Sequence, residues 1–444
     1  MEVGRRGGTR REGRPTGSRC GFAAGNALML LLTAASAQPV LSAKVRAPRL
    51  GAAHAISTGA SVSSRVPAST GAPDASAASP ALAASGAKPL RSGAFVPEAP
   101  YRAALLMDRD SGQVLMAKDE HLRWPPASMA KMMTLLITME QVRDRRLTLD
   151  DMITTSAWAS KIGGSQVYLR EGERFPLREL LRAIVIASAN DAAVAVAEHV
   201  AGSTEAFVAL MNQRAKDLGL TDTEFHSVHG LPPSAGQLPD LMSAMDLAIL
   251  GRTLAQFPEV GEWAATSEAP FRDGQLEMRN TNHLVRTYPG ADGLKTGYYA
   301  AAGFEITATA TRNGLRLLAV VLGAPTKRGC FDQAAKLLTS GFTEYRAVEA
   351  AKAGQPVGGA IPIAGGSAGT LTGVAAADLR FTLPRMEAAA LKVEVKLPAG
   401  ISAPIKKGQI VGEVIARRGD EQLGRVSVVA AQDVESTSWW SRWF

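Results

Sequence analysis

The stretch WPPASMAKMMTLLITME, residues 124–140, opens on two prolines and continues as an apolar run of helical length. Proline is tolerated ahead of a helix and in its first turn, so a helix is predicted to begin at about Ser128. Lys131 follows three residues later, and residues three apart on a helix are stacked neighbours. A hydroxyl and an amine therefore share one face, flanked by Met132, Met133, Leu135 and Leu136. Partial desolvation lowers the pKa of a lysine and makes it a base able to take the proton of the serine. The helix start also aims backbone N–H groups at developing negative charge. The same spacing suits a capping serine and a lysine that snorkels to water, so the pair alone leaves both readings open.

Two further motifs bear on the choice. Ser188-Ala189-Asn190, the one Ser-x-Asn in the chain, falls at the break between LRELLRAIVIA and NDAAVAVAEHVAG, both of helical periodicity. A second hydroxyl there can relay a proton, and an amide can fix a lysine and a substrate carbonyl; a plain helix cap is the competing reading. Lys295-Thr296-Gly297 lies in GADGLKTGYYAAAGFE, entering a predicted hairpin. Lysine and threonine can bind a carboxylate there, and glycine lets a substrate backbone lie against the strand. An exposed strand lysine is the alternative. In this order, separated by 60 and 107 residues, the three motifs are far more specific than any one. A second cation near Lys131 would depress its pKa further by like-charge repulsion.

Around these motifs the 444 residues divide by texture. Residues 1–20 carry six arginines against two glutamates, half of the net charge of +8. Residues 21–37, GFAAGNALMLLLTAASA, hold no charge and end in Ala35-Ser36-Ala37. A basic start, an apolar core and a small-x-small end read as a signal peptide over 1–37, with export the consequence. A membrane-spanning anchor competes, but the run is short and ends in small residues. Cleavage there would remove Cys20 and leave Cys330 alone, so no internal disulfide is expected. Residues 38–97 are an Ala/Ser/Pro-rich linker that cannot bury enough apolar surface to order itself. Folded sequence is expected from 98, with two short strands about Asp110-Ser111-Gly112 and a hairpin turning at Asn313-Gly314. FDQAAKLLTSGFTEYRAVE reads as helix. Short alternating stretches over 351–434, such as LKVEVKL, indicate a small β domain. Residues 435–444 close with Trp439, Trp440, Trp443 and Phe444, an amphipathic aromatic tail suited to the headgroup level of a membrane. His226 and His229 lack a supporting ligand pattern, so no metal site is expected. No basic–aromatic surface calls for nucleic acid.

The set Ser128-x-x-Lys131, Ser188-x-Asn190 and Lys295-Thr296-Gly297 resembles the penicillin-interacting acyl-serine transferases. With GGSQVYLREGE, ASANDAAVAVAEHVAGS, HGLP, GADGLKTGYYAAAG and LLTSGF, the chain resembles the serine-type D-alanyl-D-alanine carboxypeptidases, the low-molecular-mass penicillin-binding proteins. The resemblance runs from about Glu98 to Phe444. It implies an α+β fold: a penicillin-binding-protein/β-lactamase-like catalytic domain over 98–350, an antiparallel sheet packed with helices, then the all-β domain and tail. It implies Ser128 as the acylated nucleophile and Lys131 as its base. Ser188 and Asn190 would move the proton and hold substrate. Lys295 and Thr296 would bind the terminal carboxylate of D-Ala-D-Ala, with Gly297 and Tyr298 beside them as substrate-binding residues, and the N–H groups of Ser128 and Tyr298 would form the oxyanion hole. Peptidoglycan stems ending in D-Ala-D-Ala would be substrates and β-lactams acylating inhibitors, with no cofactor. The expected location is the periplasm, peripheral on the outer face of the inner membrane.

Two positions depart from that pattern. Ala189 stands where glycine is common, which is tolerable if its φ is not left-handed. Cys330 stands where many members place a carboxylate-holding arginine, with Arg328 as the nearby substitute. A β-lactamase reading lacks the Glu-x-x-Leu-Asn segment and the added β domain. A D,D-endopeptidase is closer, and a non-catalytic cell-wall-binding protein would leave the intact Ser128, Lys131 and Lys295 unexplained.

Overall fold

The computed structural model describes residues 100–437. The expected signal peptide, the linker and the tail aromatics Trp439, Trp440, Trp443 and Phe444 lie outside the described residues.

Five strands make the central antiparallel sheet: β1 (Ala103–Asp108), β2 (Val114–Lys118), β3 (Ala291–Tyr299), β4 (Gly303–Arg312) and β5 (Leu315–Ala324), in the spatial order β2-β1-β5-β4-β3. The β4–β5 hairpin turns at Asn313 (φ 50°) and Gly314 (φ 76°), two positive φ values that match a type I′ turn. The alternation along these strands separates two buried faces. Ile306, Ala308, Leu317 and Ala319 pack on one side with Ala334, Leu338 and Phe342 of the helix Lys327–Glu344. Leu105, Met107, Leu318 and Val320 face the other way, into a core shared with α1 (Lys131–Arg143), α2 (Leu177–Ile186), α3 (Asn190–Ala201), α4 (Thr204–Asp217) and α5 (Ala244–Leu254). The first nine residues of α1 are all buried, so this helix lies inside the lobe.

The helix Lys327–Glu344, α6, passes without a loop into β6 (Tyr345–Ala351). The sequence reading carries helix through TEYRAVE; the structure ends it at Glu344. Tyr345–Ala351 pairs antiparallel with β7 (Leu379–Pro384), and that cross-strand pairing overrides the helix propensity of its alanines, arginine and glutamate. Beyond it, β8 (Leu391–Lys396), β9 (Ile410–Arg418) and β10 (Glu421–Ala430) pair antiparallel around a small core that includes Ile361, Ile405, Val414 and Val428. The Thr382 hydroxyl of this domain donates to buried Asp108 of β1, and Asp110 pairs with Arg316 (3.4 Å) and Arg380 (3.8 Å). A cavity of about 400 Å³ at this seam is lined by those same charges, already paired with one another.

Candidate active site

Ser128 lies in a 3-10 turn, Ala127–Ala130, and the α-helix proper begins at Lys131, three residues later than the sequence indicates. Ala127 holds φ at +44°, a conformation that costs a non-glycine residue on the order of 1 kcal/mol or more and persists only where neighbours enforce it. Two glycines press on the turn. A Cβ on Gly230 (φ +74°) would stand 1.8 Å from the Ala127 carbonyl oxygen, and one on Gly297 would stand 2.7 Å from that of Pro126. Glycine is required at both points because backbone meets backbone.

Lys131 is fully buried. Its Nζ lies 2.8 Å from Ser128 Oγ and donates to the His229 carbonyl oxygen at 2.7 Å. Burial, and then the charge of Lys295, push its pKa well below the ordinary lysine value. A snorkelling lysine is thereby excluded, and so is a capping Ser128, since neither the turn nor α1 has a side-chain cap.

Ser188 sits between α2 and α3 with φ +60° and does not cap α3 either. It accepts a hydrogen bond from Lys295 Nζ at 2.7 Å; the same amine donates to the Thr296 carbonyl oxygen at 3.0 Å. Lys295, on β3, is 1% exposed rather than a surface lysine, and burial lowers its pKa to about 7. Ala189 has φ −60° and ψ 120°, so alanine fits without strain. Asn190 corrects one expectation. Its Nδ2 donates to the Gly163 carbonyl at 2.6 Å and holds neither lysine, while its Oδ1 is buried without a partner among the described residues. Thr296 Oγ1 lies 2.8 Å from Thr281 Oγ1, and Tyr298, half exposed, stacks on Phe304 at 4.1 Å. Ser128, Ser188, Thr296, Gly297 and Tyr298 line one cavity of about 230 Å³.

Several contributors carry no motif. Asp191, fully buried, accepts from the N–H groups of Val167 (3.1 Å), Leu169 (3.0 Å) and Ala192 (2.9 Å), tying down the loop that carries Ser165 to the cavity. Asp240 accepts from the His226 N–H (2.6 Å), the Ser227 N–H (2.8 Å) and the Ser227 hydroxyl (2.6 Å), shaping the turn whose His229 carbonyl meets Lys131. A buried carboxylate followed by an apolar helix was the available signal for Asp191; nothing local marks Asp240. His226 lies 3.2 Å from Glu224, and His229 Nδ1 accepts from the Leu231 N–H, so the two rings do not converge.

The substitute expected for the missing arginine is not Arg328. That side chain is 93% exposed and pairs with Asp332 on the outer side of α6. Lys327, one residue earlier, lines the cavity together with buried Cys330, whose thiol pKa is pushed up by burial. The helical phase, 100° per residue, separates them.

A serine hydroxyl with a buried amine beside it, and a second serine hydroxyl bound to a second buried amine, are thus brought together by the helical lobe and the central sheet. The sequence model of the D-alanyl-D-alanine carboxypeptidase family matches residues 92–326, and that of the penicillin-binding protein 5 C-terminal domain matches 345–436. The chain is 36% identical over 338 residues to the D-alanyl-D-alanine carboxypeptidase DacF of Bacillus subtilis, covering 75% of this chain and 86% of that one. Penicillin-binding protein 5 from Haemophilus influenzae has a similar structure (TM-score 0.63, 29% identity, 78% of this chain and 100% of that one). So does penicillin-binding protein D2 from Listeria monocytogenes, solved in its ampicillin-bound form (TM-score 0.51, 29% identity, 56% and 100%). The chain belongs to the D-alanyl-D-alanine carboxypeptidase family of penicillin-binding serine hydrolases.

Proposed function

We propose that this chain removes the terminal D-alanine from peptidoglycan pentapeptides through an acyl-enzyme on Ser128. The observation that carries the assignment is the 2.8 Å approach of a fully buried Lys131 amine to Ser128 Oγ. Neutral Lys131 takes the hydroxyl proton as Oγ attacks the carbonyl carbon of the penultimate D-alanine. The N–H groups of Ser128 and Tyr298 receive the oxyanion. Collapse breaks the C–N bond, and the leaving amine collects a proton through Lys131 and Ser188. Water, deprotonated by the now neutral Lys131, then hydrolyses the Ser128 ester and returns the proton to Ser128 Oγ. Cationic Lys295 and Thr296 hold the terminal carboxylate, with Lys327 as an added cation at the cavity wall. A β-lactam acylates the same oxygen.

The site is tested by D-alanine release from a peptide ending in D-Ala-D-Ala, using the purified full-length chain beside Ser128→Ala. Release by the wild type and none by the variant is expected; release by both would remove Ser128 from its role. Cleavage confined to cross-linked dimers would instead favour the endopeptidase reading.

The Arg-rich start, apolar run and Ala35-Ser36-Ala37 support export to the periplasm, and Trp439, Trp440, Trp443 and Phe444 support peripheral attachment to the inner membrane. Fractionation of cells carrying the chain with and without residues 435–444 tests this: the shortened form should leave the membrane fraction.

A further inference from the structure

Glu305 stands opposite Gly297 across the β3–β4 pairing and is 2% exposed. Its Oε2 lies 3.1 Å from where a Cβ on Gly297 would be, in a gap that the Pro126 carbonyl oxygen and the Ala127 methyl also enter. That gap separates the turn presenting Ser128 from the backbone presenting Tyr298. Neither carboxyl oxygen has a hydrogen-bond partner among the described residues; the Gly323 N–H approaches without meeting hydrogen-bond geometry. Burial dominates and pushes the carboxyl well above its ordinary range. Nothing in the reaction outlined above uses this acid. An unpaired ionised carboxylate is among the costliest groups to bury, so Glu305 is stable there as a neutral acid.

We propose that Glu305 is a positioning residue of the oxyanion hole: as a neutral acid it fills the space between the Ser128 turn and the Gly297–Tyr298 backbone, and on losing its proton it sets a negative charge behind the N–H groups that receive the oxyanion and slows acylation. The inference rests on the Ser128 reading above. Like charges in a dry site repel strongly, so an anion behind the hole opposes the charge that forms in front of it. The titratable groups placed with Glu305 are Tyr298 and Tyr299 from β3 and Lys327 and Cys330 from α6; Tyr299 and Cys330 both feel its charge. All of them remain in a Glu305 variant, so the difference between two pH profiles isolates Glu305.

The experiment is the second-order rate constant for labelling of the full-length chain by a fluorescent penicillin from pH 6 to 10, for wild type, Glu305→Gln and Glu305→Asn. The wild-type constant is expected to fall on the alkaline side by up to about tenfold per pH unit as Glu305 ionises. The Gln variant lacks that contribution, so its rate should decline less on the alkaline side than the wild-type rate. Melting curves decide whether Gln folds, and Asn, smaller and also neutral, serves if it does not. A purely structural role would shift both rates of a variant together. Superimposable normalised profiles would overturn the proposal while leaving Ser128 in place. A wild type that takes no label at any pH would overturn the Ser128 reading, and the proposal with it.

Discussion

Lys295 Nζ donates to Ser188 Oγ at 2.7 Å across 107 residues of chain, a buried bond that joins the central sheet to the helical lobe. Its amine titrates at about 7, because burial disfavours the cation. Below that pH the group is charged and can hold a carboxylate; above it the attraction fades. KM for a D-Ala-D-Ala peptide is therefore expected to climb above pH 7 by up to about tenfold per unit. Steady-state kinetics from pH 6 to 9 check this, and a flat KM would remove a titrating Lys295 from carboxylate binding.

The same burial has a stability cost. The folded pKa of about 7 is below the ordinary 10.5, so between those values the unfolded chain binds the extra proton. Stability then rises with pH across that window, and the full penalty is present below pH 7. Lys295→Met should raise Tm at pH 6 by at least about 3 °C, the equivalent of roughly 1 kcal/mol, and the gain should shrink towards pH 10. Calorimetry on both forms gives the answer. A lower Tm for the variant at pH 6 would mean that the bonds to Ser188 and Thr296 outweigh the desolvation.

As the proposed base, Lys131 has to be neutral, and arginine cannot lose its proton. Lys131→Ala and Lys131→Arg should both depress penicillin acylation by about 10²–10⁴-fold. Rescue by arginine would show that charge, not basicity, is what the position supplies.

Gly230→Ala places a methyl 1.8 Å from the Ala127 carbonyl oxygen at a left-handed φ. The Ser128 turn must shift or the 226–230 turn must open. Tm should fall by several degrees, and acylation by about tenfold or more, since a 1 Å misplacement of reacting groups can cost 10²-fold. An unchanged acylation rate would show that the two turns move independently.

Much of the site is readable along the chain because each motif sits on an element with a clear local signal. The prolines before Ser128, the break between two apolar helices at Ser188 and the Asn313-Gly314 turn of the hairpin beside the strand of Lys295 all survive in the structure. What stays hidden depends on contacts between distant residues. Glu305 sits in GFEITATATR, where alternation groups it with the threonines on the polar face and cannot show that this face too is buried. Lys327 and Arg328 are adjacent in sequence, and only the docking of α6 decides which faces the cavity. The β6 residues read as helix because their pairing partner lies more than 25 residues further on. Gly230 is an ordinary turn glycine until Ala127 is placed against it.

The sheet draws β1 and β2 from residues 103–118 and β3 to β5 from residues 291–324, with the helical lobe between them. A chain leaving the ribosome thus displays Ser128 and Ser188 long before Lys295 exists, and β1 has no neighbour on its inner side until residue 315 has emerged. Reactivity of the serine is consequently a property of finished molecules. On the Ser128 reading, a truncated or misassembled copy carries that serine in silence, so the intensity of a fluorescent penicillin band counts completed folding events rather than the chains that were made.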